Sequence, residues 1–175
     1  MHASYSKVMA SIVKGVEPAL NPLLAEIEKK SGPNHFFRVM AHRPEAIEPF
    51  IGLSKAVMGR GSLERRIKEM TYLAVSYVNE CAYCGAHHEK GARAAGLTDT
   101  EIHEILTENN QPFTPKEQAA LRYARDLTRN ADAEDTRDAV QELFSPEQVV
   151  ELTLVVCMAN FTNRFNNGLS VPLES

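Results

Sequence analysis

Apolar residues recur along this chain at intervals of three and four, the spacing of one face of an α-helix, and no segment alternates with the period of two that a half-buried strand requires. Residues 4–14 carry Tyr5, Val8, Met9, Ile12 and Val13 on one face. Pro22 suits the first turn of a helix that runs through Leu23, Leu24 and Ile27 and stops near Gly32. The stretch "FFRVMAH" predicts a short helix ending before Pro44. Residues 44–58 form the next, kinked or split by Pro49, with Gly59 and Gly61 beyond it. Ser62 is the expected N-cap of a helix striped by Ile67, Met70, Leu73, Ala74, Tyr77 and Val78.

After the break at "NEC", a helix is predicted from about Ala82 to Ala95, with Gly96 as its stop. Thr98 with Glu101, and Thr114 with Glu117, have the spacing of capping boxes. The second opens a helix packed through Ala120, Tyr123, Ala124 and Leu127, and another is expected around 134–144. Ser145, Pro146 and Gln148 open the last helix. Its run "VVELTLVVCM" would also suit a buried strand, but the start signal and its continuation to Asn160 favour helix. Apolar residues nearly all round it predict a central helix or an oligomer interface. The pattern as a whole predicts an all-α, single-domain helical bundle over 1–175. Residues 35–110 would form its core and 111–175 the completing helices, divided at "TENNQPF".

Composition narrows the function. At 175 residues, 43% hydrophobic and 24% charged, the chain suits one ordinary globular core. A net charge of −4 gives no basic face for nucleic acid. No apolar run is long enough to span a membrane, and "MHASYSKVMASIVKG" lacks the pattern of a signal peptide. Three cysteines are too few for a secreted disulfide scaffold, so a reducing, cytoplasmic setting is expected.

The chemistry concentrates at "NECAYCGAHHEKG". With about 100° per residue, Cys81 and Cys84 lie about 60° apart on a helix and Cys81 and His88 about 20° apart. These three share a stripe. His88, four residues after Cys84, is in side-chain reach of it, and His87 lies farther round. Cysteines three apart on a helix fit the separation a disulfide needs. At a helix N-terminus the macrodipole and free N–H groups favour the thiolate. The parts of an activated dithiol are therefore present: nucleophile, resolving thiol and base. Two other readings stand beside it. One is a small apolar pair in a helix stripe, with His87 and His88 at the surface. The other is a zinc site of Cys81, Cys84 and His88 with Cys157 or a distant histidine as fourth ligand. Cys157, alone in an apolar run, is expected to be buried and inert.

The motif Glu69, eleven residues, Cys81-x-x-Cys84-x-x-x-His88 resembles the core of the alkylhydroperoxidase D-like, carboxymuconolactone decarboxylase superfamily. The stretch "GSLERRIKEMTYLAVSYVNECAYCGAHH" is similar to that domain's helix pair, and the later segments "TPKEQAALRYARDLTRN" and "SPEQVVELTLVVCMANFTNRFNNGLSVPLE" are similar to its peroxidase-related branch. The resemblance covers roughly 35–174. It implies the all-helical fold, a homo-oligomer (trimer or hexamer) and thiol-dependent reduction of hydroperoxides. No bound cofactor or metal is implied. An external dithiol reductant, lipoyl or thioredoxin-like, would restore the protein. Cys84 would attack the peroxide and Cys81 resolve the sulfenic acid, with Glu69 and His88 as proton relay. Tyr83 stands where some members carry a histidine. A non-catalytic redox sensor or adaptor would use the same dithiol. The helix dipole by itself favours Cys81 as nucleophile; the local base and the resemblance favour Cys84. Arg164 and the asparagines of "NFTNRFNN" are read as contacts at a subunit boundary or an exposed helix end, outside the site.

Overall fold

A computed structural model describes residues 11–174, and every regular element among them is helical. The α-helices are α1 (Pro22–Ser31), α2 (His35–Met40), α3 (Ile47–Met58), α4 (Arg65–Val78), α5 (Ala82–Ala94), α6 (Asp99–Leu106), α7 (Pro115–Asn130), α8 (Arg137–Leu143) and α9 (Pro146–Leu169). Short 3₁₀ turns at Pro18–Leu20 and Pro44–Ala46 precede α1 and α3.

Local chemistry sets most boundaries. Asn21 and Asn34 cap α1 and α2 by accepting from Leu24 N and Phe37 N. Reciprocal capping boxes open α6, α7 and α9, at Thr98–Glu101, Thr114–Glu117 and Ser145–Gln148. Pro49 does not kink a long helix. The 3₁₀ turn splits off, and Pro49 falls in the first turn of α3, where its missing N–H has no partner to lose.

Two expectations fail, and one helix starts later than expected. Tyr5, Val8 and Met9 lie outside the described residues, but 11–14 are not helical: Ser11 Oγ and Ile12 N both donate to the Leu169 carbonyl at the end of α9. Ser62 does not cap α4. It donates to Glu151, which also accepts from Leu63 N, and the helix opens two residues later with Glu64 as N-cap and no side-chain cap bond. The helix expected at 134–144 begins only at Arg137, because residues 133–137 form a turn closed on the Ala133 carbonyl.

The central element is α4 rather than α9. Ten consecutive residues, Ile67 to Ser76, are buried, and α4 packs against α5, α6, α7 and α9. Burial all round requires its charged groups to be paired, although Thr71 Oγ1 has no hydrogen-bond partner among the described residues. Lys68, fully buried, donates to the Val57 and Gly59 carbonyls at 2.8 and 2.7 Å and pairs with Glu151, closing the C-terminus of α3 onto α4 and α9. The last helix lies beside α4 and keeps one side open: Val150, Leu154, Cys157 and Phe161 are exposed along it. Cys157 is thus not a buried core thiol.

Candidate active site

The site forms where α5 leaves α4 by a tight turn. Glu80 adopts a left-handed conformation (φ 51°), and Cys81 N donates back to the Ser76 carbonyl. Cys81 becomes the N-cap of α5, its sulfur accepting from Cys84 N at 3.3 Å, so Cys84 is the third residue of the helix. Both thiols are buried, with their sulfurs 2.7 Å apart and Cys81 donating to Cys84.

That donation is the largest influence on Cys84. It is opposed by burial and assisted by the hydrogen bond from Asn166 and by the neighbouring Asn163 and Thr162, and the outcome is a thiol lowered from 9.0 to about 7. Cys81 moves the other way: holding the shared proton, buried and beside the incipient thiolate, it is pushed far up. Position on the helix alone would favour Cys81, nearer the start. The direction of the shared hydrogen bond outweighs that preference, and Cys84 ionises first.

Glu69 and His88 meet at the side of this pair. Glu69 is 5% exposed, and its carboxylate lies 2.9 Å from His88 Nδ1 and 3.5 Å from Arg65. A glycine makes room for it: a Cβ on Gly91 of α5 would come within 2.6–2.8 Å of the Glu69 carboxyl atoms. The His88 ring stacks on Tyr72 at 3.4 Å between centroids, and buried Tyr72 bonds Thr162. The polar contacts on the Cys84 sulfur come from Cys81 and Asn166, not from His88.

The last helix supplies what the sequence reading assigned elsewhere. Asn163 and Asn166 are buried beside α4 and α5 rather than placed at an exposed helix end. Asn166 Nδ2 lies 3.2 Å from Cys84 Sγ, and Asn163 joins Ser76 and Asn79 at the α4–α5 turn. On the far side, Glu174 accepts from Tyr83 Oη at 2.6 Å and from His35 N at 2.8 Å, and its other oxygen lies 2.9 Å from His87 Nε2. Burial opposes its ionisation, but these donors hold it down at about 2. No local signal marks Asn166 or Glu174; each meets the site from far along the chain.

Cys84, His88, Tyr72 and Asn166 line a cavity of about 230 Å³, to which Phe36, Phe37 and Phe50 add aromatic surface. Among the described residues, no group of three or more His, Cys, Asp or Glu is arranged to hold a metal ion. Cys157, suggested as a fourth zinc ligand, sits on the open side of α9.

Residues 44–126 match the Carboxymuconolactone decarboxylase family. This segment belongs to that family. The carboxymuconolactone decarboxylase segment contains Glu69, Cys81, Cys84 and His88, whereas Thr162, Asn163, Asn166 and Glu174 lie beyond it. The alkyl hydroperoxide reductase AhpD of Mycobacteroides abscessus is 38% identical over 55 residues, 31% of each chain. The crystal structure of ATU0492 from Agrobacterium tumefaciens, a protein of unknown function, aligns with a TM-score of 0.71 and 26% identity, covering 78% of this chain and 95% of that one. The debrominase Bmp8, solved with 2,3,4-tribromopyrrole, shares the fold at a TM-score of 0.79 over 95% of this chain and 94% of its own, with 20% identity. Proteins of one fold thus act on different molecules, and function must be argued from the site. No described helix is long and apolar enough to cross a membrane.

Proposed function

We propose that this protein is a thiol-dependent peroxidase. The observation that carries the reading is the polarised thiol pair: Cys84 is lowered to about 7 by a donor, Cys81, that is itself placed to resolve the oxidised sulfur. The Cys84 thiolate attacks the terminal oxygen of a hydroperoxide and becomes a sulfenic acid. Cys81 displaces hydroxide from it, giving a disulfide and water. His88, in the same cavity wall and paired with Glu69 behind it, carries the proton to the departing alkoxide. An external dithiol, lipoyl or thioredoxin-like, then restores both thiols by exchange. The similarity of 55 residues to an alkyl hydroperoxide reductase supports this reading.

The test is the reaction of the reduced protein with cumene hydroperoxide, followed by intact mass and thiol count. The expected product has lost two hydrogens and two of its three thiols, with peptide mapping placing the link at 81–84. Steady turnover with a dithiol reductant is expected to follow. Oxidation that stops after one equivalent, whatever dithiol is supplied, would instead identify a redox sensor or adaptor. Retention of all thiols at excess peroxide would refute both.

A further inference from the structure

Three inward-facing amides line one side of α9, and one differs from the others. The side-chain oxygens of Asn160 and Asn163 both accept from Asn79. Asn166, 3% exposed, donates its Nδ2 to the Cys84 sulfur at 3.2 Å, but its Oδ1 is buried with no hydrogen-bond partner among the described residues. An amide oxygen in that position carries unused acceptor capacity, and native structures rarely leave such an atom unpaired. Asn166 also lines the cavity at Cys84.

We propose that Asn166 is a catalytic residue that orients the peroxide: its N–H holds the Cys84 sulfur while its Oδ1 accepts the O–H of a hydroperoxide seated in the cavity. The proposal rests on the peroxidase reading. One planar amide then fixes both reacting atoms, the sulfur at its nitrogen and the terminal oxygen at its carbonyl. The Cys84 proton passes through the cavity to His88, which lines it without touching the sulfur. The thiolate forms the S–O bond as the O–O bond breaks. The electron pair leaves on the alkoxide, which takes the proton back from His88 and departs as the alcohol. Sulfur is oxidised to the sulfenic acid and the hydroperoxide is reduced. The terminal hydrogen never leaves its oxygen, so the sulfenic O–H remains on Asn166 until the Cys81 sulfur attacks Cys84 and water departs with the Cys81 proton.

This geometry also defines the substrate. It must carry O–H on the attacked oxygen, so a dialkyl peroxide lacks the handle. Its body must suit aromatic surface and about 230 Å³. A cavity of about 150 Å³ holds benzene, so the space fits one substituted ring or a short branched group. The class is small apolar hydroperoxides.

The test separates orientation from ionisation. Rates of Cys84 reaction with cumene hydroperoxide and with N-ethylmaleimide, which offers no O–H or N–H, are measured on their high-pH plateaus, where the thiolate fraction is complete. The expected result for Asn166→Ala is a peroxide plateau lower by on the order of 10²-fold and a maleimide plateau within about twofold of wild type. Asn166→Ser, which keeps a side-chain oxygen, recovers part of the loss and serves if the alanine variant folds poorly. Equal plateau losses for both reagents in the Asn166 variants would overturn the proposal while leaving the peroxidase standing. A wild-type protein that reacts with cumene hydroperoxide no faster than free cysteine would overturn the peroxidase itself.

Discussion

Replacing Cys81 with alanine tests the origin of the reactive thiol. In the native protein the Cys81 S–H points at the Cys84 sulfur across 2.7 Å and is the largest single influence lowering it from 9.0 to about 7. Moving a titration that far takes about 3 kcal/mol, the size of one or two hydrogen bonds to a charged group at about 1.5–3 kcal/mol each. At pH 7 about half of Cys84 is then thiolate, against about 1% for an ordinary thiol titrating at 9.0. In Cys81→Ala that donor is gone while burial, which opposes ionisation, remains; only the weaker influence of Asn166 and of the neighbouring Asn163 and Thr162 still favours the thiolate. The Cys84 titration therefore climbs toward 9.0, and its iodoacetamide reaction at pH 7 slows by up to about 50-fold. The two proteins converge near pH 10. Cys81→Ser, with a hydroxyl donor, falls between them. The assay is the alkylation rate from pH 5 to 10, with Cys84 and Cys157 peptides quantified separately by mass spectrometry. A Cys84 midpoint that stays near 7 in Cys81→Ala would refute the argument, as would faster alkylation of Cys81 than of Cys84 in the native chain.

Gly91→Ala is expected to push Glu69 off His88 and, if the pair relays protons, to lower cumene hydroperoxide turnover by about 10²-fold with the helical fold retained by circular dichroism; unchanged turnover would count against the relay. Glu174, lowered from 4.5 to about 2, contributes stability that is fully present above pH 4.5 and is lost as pH falls toward 2. Glu174→Gln should accordingly lower the melting temperature at pH 7, with the gap closing on acidification, and a constant gap would contradict the assignment. The exposed row Val150, Leu154, Cys157 and Phe161 repeats at helical spacing, as a self-association face would. Light scattering is expected to give a multiple of 19.4 kDa for the native chain and a smaller species for Leu154→Glu; a native monomer would rule the face out.

How much of this was legible in the chain depends on distance along it. The capping boxes at Thr98, Thr114 and Ser145 were readable because each closes within four residues. Cys81, Cys84 and His88 were readable because one helix carries them, and Glu69 because its spacing from them resembles a known motif. Ser62 misled because the decisive carboxylate, Glu151, arrives from 89 positions away and takes the hydroxyl that would have capped α4. Asn166 was invisible for the same reason: it meets Cys84 across 82 positions. Glu174, 91 positions from Tyr83, is a further case.

The misreading of α9 has a more specific cause. Hydrophobic periodicity assumes that apolar residues face inward, and on that assumption Cys157 belongs to the core and the asparagines to an exposed end. Past Ala159 the helix does the reverse: Thr162, Asn163 and Asn166 are buried, while Phe161 is 53% exposed. Burying amides costs stability unless they are bonded. Here Asn163 is bonded to Ser76 and Asn79, and Asn166 is bonded on one side to a thiol that titrates near neutrality. A helix optimised only for packing would place leucine there. The inverted stretch is therefore better explained by the charge that Cys84 acquires than by the fold it stabilises. The apolar side turned outward is the surface left when polar groups claim the inside.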